Sequence, residues 1–183
     1  MNEKKSNQIN SYLTFMLGEE EFAAHVSKVL NILEMTRVTK VPNAPAYMKG
    51  VINLRGMVLP VVDTRVKFGM DATDYTDKTC IVVMDLDMDG EIVHVGALVD
   101  EVVAVLEIDN TEIKPPPGIG NTYNAELITG VVNVEEKFIM ILDMEKIFST
   151  GEMNIIKATG NEDNKKDNAS VNKEKTQQAK EVQ

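Results

Sequence analysis

The chain of 183 residues has room for one domain, or for two small ones sharing a core, and 43% of it is apolar. Its net charge of −10 repels phosphate backbones and anionic headgroups, and with no Trp it has little to stack on bases or sugars, so the expected partner is a protein. No apolar run approaches the ~20 residues that span a bilayer. Met1 to Ser6 leads into polar Asn7-Gln8 rather than a signal sequence, and the single Cys80 cannot form an internal disulfide, so the cytoplasm is the expected location.

After an N-terminus read as flexible over 1–10, the pattern is mostly β. Tyr12 to Leu17 and Glu21 to Ala24 flank Gly18-Glu19-Glu20, a hairpin signal. Val26 and Val29 stand at helical spacing. Gly50 to Leu54 and Met57 to Val62 form a second hairpin around Arg55-Gly56, followed by a short helical turn from Asp63 to Phe68. Cys80 to Leu86 and Glu91 to Val99 flank Asp89-Gly90, the pair preferred in turns whose central residues need positive φ. Leu127 to Val134 and Phe138 to Leu142 flank Glu135-Glu136-Lys137, and a turn from Asp143 to Phe148 follows. A further short turn is expected over 149–158. Thr159 to Gln183 balances five acids with five lysines and holds almost nothing apolar, so it reads as a disordered tail.

An internal repeat organises the body. At a shift of 80, Gly50-Val51-Ile52-Asn53-Leu54 lies on Gly130-Val131-Val132-Asn133-Val134. The match continues without a gap through Val58/Phe138, Leu59/Ile139, Val61/Ile141, Asp63/Asp143 and Phe68/Phe148. A weaker echo at a shift of 73 pairs Val26, Val29, Ile32 and Leu33 with Val99, Val102, Val105 and Leu106. Two similar small β-barrels packed on each other are expected, with approximate halves 11–70 and 79–148 between which strands can be exchanged.

Candidate chemistry is sparse. Asp85-Leu86-Asp87-Met88-Asp89-Gly90 begins like a calcium loop, but the twelfth position, which needs a bidentate Glu, is Gly96. His25 and His94 have no ligand at metal spacing, so no metal is expected. Cys80 lies in an apolar strand without a nearby base, and Gly118-Ile119-Gly120 lacks the strand-to-helix context of a phosphate loop. Asp63 and Asp143 are explained as caps. No nucleophile is supplied with a base, so neither catalysis nor a cofactor is expected. Arg55 is the exception that invites a role: it stands at a tight turn between two apolar strands, where the second copy carries Glu135.

Gly50-Val51-Ile52-Asn53-Leu54-Arg55-Gly56 with the following Val-Leu-Pro-Val-Val-Asp closely resembles the signature segment of CheW proteins. Leu13 to Gly18, Glu21 to Ala23, Val41 to Pro45, Val99 to Val102, Lys114 to Pro117, Gly130-Val131 and Leu142-Asp143 complete the family's pattern in order, so the resemblance covers about Ser11 to Phe148. It implies two SH3-like five-stranded barrels and a non-catalytic scaffold in chemotaxis signal transduction. The implied partners are the CheA-type histidine kinase of a two-component system and the cytoplasmic tips of methyl-accepting chemoreceptors. The implied receptor contacts are Arg55, Gly50, Val29 and Val105, with Asn53, Leu54 and Gly56 supporting the turn; kinase contacts are not assigned. Where many members carry a Glu that pairs with the signature arginine, this chain has Asn31, with Glu34 nearby. There is no room for the kinase's own catalytic domains or for a receiver domain, so a stand-alone coupler is the expectation. The alternative is a generic β-barrel interaction module outside chemotaxis.

Overall fold

The computed structural model describes residues 8–116 and 125–148. Residues 1–7, Gly118-Ile119-Gly120, the expected turn over 149–158 and the tail from Thr159 lie outside the described residues. Ten strands follow in order: β1 (Ile9–Leu17), β2 (Glu20–His25), β3 (Val29–Glu34), β4 (Met48–Leu54), β5 (Met57–Asp63), β6 (Cys80–Met88), β7 (Glu91–Val99), β8 (Glu101–Asp109), β9 (Ile128–Val134) and β10 (Lys137–Leu142). Two one-turn helices, α1 (Thr64–Lys67) and α2 (Met144–Ile147), follow β5 and β10.

The four expected hairpins all form. The first and the last have two-residue turns rather than the expected three, because Glu20 already pairs with Leu17 and Lys137 with Val134. Glu135 and Glu136 take φ of 49° and 66°, left-handed values that side chains rarely adopt. β3 and β8 stand outside those hairpins. The helical spacing of Val26 and Val29 resolves into a single 3-10 turn, Val26–Lys28, that passes directly into β3.

The strands form two five-stranded sheets, ordered β8-β1-β2-β10-β9 and β3-β6-β7-β5-β4. The two orders are the same pattern. Each sheet takes the leading hairpin of one copy of the repeat (β1-β2 or β6-β7) and the last three strands of the other copy (β8, β9 and β10, or β3, β4 and β5). Parallel pairings make the joins: Ile141 faces Ala23 in one sheet, and Val61 faces Gly96 in the other. These pairs superpose at the two shifts, 80 for the first residue and 73 for the second. The chain therefore passes between sheets twice, at the β2–β3 and β7–β8 links.

The repeat extends to backbone detail. Asp63 N–H donates to Tyr47 O at 2.7 Å, and Asp143 N–H donates to Leu127 O at 2.8 Å. Asp63 and Asp143 accept from the amides of Val66 and Lys146 at 3.2 and 3.1 Å, capping α1 and α2. Thr39 and Lys114 each exchange two backbone bonds with a strand, at Val51 and Val131, and so cover part of the outer edges of β4 and β9.

One core cluster contains Tyr12, Ala23, Ile108, Val132, Ile139 and Ile141, and another contains Ile52, Leu59, Val61, Ile81, Val83 and Leu98. Each draws on both copies of the repeat. Between the sheets, Phe22 stacks on Phe15 and on Phe68, with centroid separations of 6.4 and 5.8 Å. Among the described residues, no helix is long and apolar enough to cross a membrane.

Candidate interaction surface

Arg55 is exposed at the tip of the β4–β5 hairpin, in a two-residue turn closed by the Leu54–Met57 pair. Its φ is 52° and that of Gly56 is 87°, so both central residues are left-handed, as the twist of a tight hairpin requires. Asn53 Oδ1 accepts from the Gly56 amide at 2.8 Å and braces the turn. Leu54 packs on the second core cluster together with Leu33, which anchors the base of the tip. Asn31 spends its Oδ1 on the Ile32 amide at 2.8 Å. Among the described residues neither Asn31 nor Glu34 bonds to Arg55, and its guanidinium has no hydrogen-bond or ion-pair partner.

The other site candidates occupy different settings. Gly50 is buried, with φ 143°, and a Cβ there would lie 2.0 Å from Thr39 O, so its hydrogen is what lets Thr39 bridge to Val51. Val29 is half-buried at the start of β3, opposite Met84. Val105 lies on β8 of the other sheet, opposite Leu13, and is 58% exposed. Val29, Gly50 and Arg55 thus share a sheet, with β3 and β4 as its two outer strands, whereas Val105 belongs to the second sheet.

Residues that sequence reasoning passed over surround these positions. Leu30, Ile32 and Val103 are exposed large apolar side chains, as are Met57 and Val58 beside Arg55, and Phe138 at the opposite hairpin. The weaker echo held the signal: at a shift of 73, Leu30 falls on Val103 and Ile32 on Val105. Both copies of the repeat leave the same apolar positions uncovered. Val58 and Phe138 are likewise equivalent, at a shift of 80. Paired exposed apolar positions of this kind mark surfaces that meet other proteins.

Catalytic and metal chemistry find little support among the described residues. Burial pushes the Cys80 thiol up, away from the reactive thiolate, despite a backbone hydrogen bond involving Val102 that acts the other way. His94 Nε2 lies 3.7 Å from Asp85 Oδ1 across β6–β7, and Asp87 Oδ1 accepts from Gly90 N at 2.8 Å, so the aspartate series braces a hairpin. A cleft of about 250 Å³ has Tyr12, His25, Lys28, Asp143 and Glu145 in its wall. Its ionisable groups are already engaged: Lys28 with Glu145, Asp143 with Lys146, and His25 Nδ1 accepting from the Ser27 amide. No group of three His, Cys, Asp or Glu residues placed to hold a metal occurs among the described residues.

Paired β-sheets of repeated design, with an arginine at one tip that has no partner among the described residues and apolar side chains along the outer strands, define a protein-interaction module. Residues 11–152 match the family model of the CheW-like domain, and the chain belongs to that family. It is 36% identical over 145 residues to the chemotaxis protein CheW of Klebsiella aerogenes, covering 79% of this chain and 85% of that one. To the CheW of Rhizobium meliloti it is 34% identical over 140 residues, covering 76% of this chain and 88% of the relative. The crystal structure of the scaffolding protein TtCheW from Thermoanaerobacter tengcongensis superposes with a TM-score of 0.69 at 25% identity, covering 83% of this chain and 96% of that one. The two five-stranded sheets are accordingly the SH3-like barrels of the CheW fold, and the function is that of a CheW-type chemotaxis protein.

Proposed function

We propose that this chain couples chemoreceptors to a CheA-type histidine kinase: it binds the kinase and the cytoplasmic receptor tips, carries receptor state to kinase activity, and performs no catalysis. It works in the cytoplasm, recruited to membrane-associated receptor arrays. Arg55 carries the reading. A left-handed, braced turn presents a cation with no partner among the described residues, next to exposed Met57 and Val58. Such a tip is preorganised for an acidic or carbonyl-bearing partner, and little ordering entropy remains to be lost on binding. Val29 and Val105 add apolar contact, while buried Gly50 acts through the hairpin it shapes.

Arg55→Glu tests the assignment. The exposed tip supports no packing, so stability should change by about 0.5 kcal/mol or less. Affinity for a receptor-tip fragment should fall by at least about tenfold, because a reversed charge at a contact is left unpaired. Kinase affinity should change little. Circular dichroism checks the fold and pull-downs separate the two partners; unchanged receptor binding by the folded variant would return Arg55 to an ordinary solvated turn.

A further inference from the structure

Each passage of the chain between the sheets is clamped by a charged cluster, and the two clusters have opposite polarity. At the β7–β8 link, Asp100 Oδ2 accepts from Arg65 of α1 at 2.6 Å and from the Gly18 amide of the β1–β2 turn, also at 2.6 Å. At the β2–β3 link, Lys28 Nζ donates to Glu145 Oε1 of α2, and the same oxygen accepts from the Asp87 amide near the end of β6 at 3.3 Å. Arg65 and Glu145 are equivalent at a shift of 80, and Lys28 and Asp100 lie within one residue of equivalence at a shift of 73. The geometry repeats while the charges invert: a cationic helix with an anionic link, then an anionic helix with a cationic link.

We propose that this inversion is a pairing code that selects the exchanged arrangement of strands. In the observed fold α1 meets the β7–β8 link and α2 meets the β2–β3 link, and both contacts join opposite charges. Suppose instead that each barrel were built from one copy of the repeat. Then α1 would meet the β2–β3 link, setting Arg65 against Lys28, and α2 would set Glu145 against Asp100. Both contacts would be like-charged. The repeated apolar positions, such as Val61/Ile141 and Phe68/Phe148, are similar in the two copies, so hydrophobic burial discriminates weakly between the arrangements. Charges at partly buried positions discriminate better: the side chains of Arg65 and Asp100 are 20% and 24% exposed, and those of Lys28 and Glu145 are 35% and 36% exposed, which limits screening by salt. Ion pairs that fix register or partner choice act in this way.

Three full-length variants test the code by recovery of native monomer after dilution from denaturant. Arg65→Gln with Glu145→Gln removes the attraction without adding repulsion. Arg65→Glu with Glu145→Arg makes both observed contacts repulsive, and should recover about tenfold less native monomer than the neutral pair. Adding Lys28→Glu and Asp100→Lys to the reversed pair restores opposite charges and should bring recovery back towards the neutral pair, although two backbone amides lose their carboxylate acceptors. If the reversed pair does not fold, rescue by the fourfold variant supports the code, and failure of that rescue overturns it. Equal recovery of the reversed and neutral pairs would also overturn it, leaving the clusters as local braces.

Discussion

Gly50→Ala is expected to cost roughly 3–5 kcal/mol, the range reached when backbone strain and a core clash combine. At φ 143° the backbone lies where only glycine is comfortable, and the new Cβ would sit 2.0 Å from Thr39 O and 2.9 Å from Val38 Cγ1. The obstacle is backbone that cannot rotate away. Moving Thr39 would break its two hydrogen bonds to Val51, at 2.8 and 2.9 Å, and uncover the edge of β4. Gly130 provides the control. There the nearest obstacle to a Cβ is a side-chain methyl, Ile113 Cγ2 at 2.3 Å, with the Lys114 carbonyl oxygen farther off at 3.1 Å, and φ is not in the left-handed region. Gly130→Ala should therefore cost less, about 1–2 kcal/mol of overpacking. Urea unfolding of both variants measures the difference, and equal losses would contradict the argument.

Phe22→Ala should cost about 3–5 kcal/mol, as expected for a large aromatic removed from a packed core. Phe22 is 7% exposed and lies directly opposite Phe15 in the β1–β2 ladder. It stacks on Phe68, which caps α1, the helix that follows β5 of the other sheet. The loss thus falls on the contact between the two sheets as well as within one of them. Phe68→Ala combined with Phe22→Ala should cost less than the sum of the single changes, because each removes the same stacked pair. Strict additivity in a double-mutant cycle would show that Phe68 does not carry the contact.

The hairpins were legible because their turn residues and apolar runs coincide, as at Asp89-Gly90 and Arg55-Gly56. The two capping aspartates were legible because a repeated Asp before an amphipathic turn has a local explanation. β3 and β8 were not. Each is an outer strand of its sheet, and β3 exposes Leu30, Asn31 and Ile32 in succession, which erases the alternation that marks a half-buried strand. The exchange of strands is not written in local pattern at all, because the two copies share the apolar positions that drive pairing. Glu135-Glu136 misled by composition, since neither residue favours the left-handed conformation that both adopt. At the candidate surface, Arg55 and its brace could be read from Asn-Leu-Arg-Gly. The exposed pair Leu30/Val103 was missed, because the weaker echo was read only at Val26, Val29, Ile32 and Leu33 and their counterparts.

The coupling role predicts a bridging result. An immobilised receptor-tip fragment should retain a CheA-type kinase when this chain is present and retain much less when it is absent. The chain carrying Arg55→Glu should bind kinase in solution yet fail to bring it to the receptor fragment. Kinase retention that is the same with and without the chain would contradict the account.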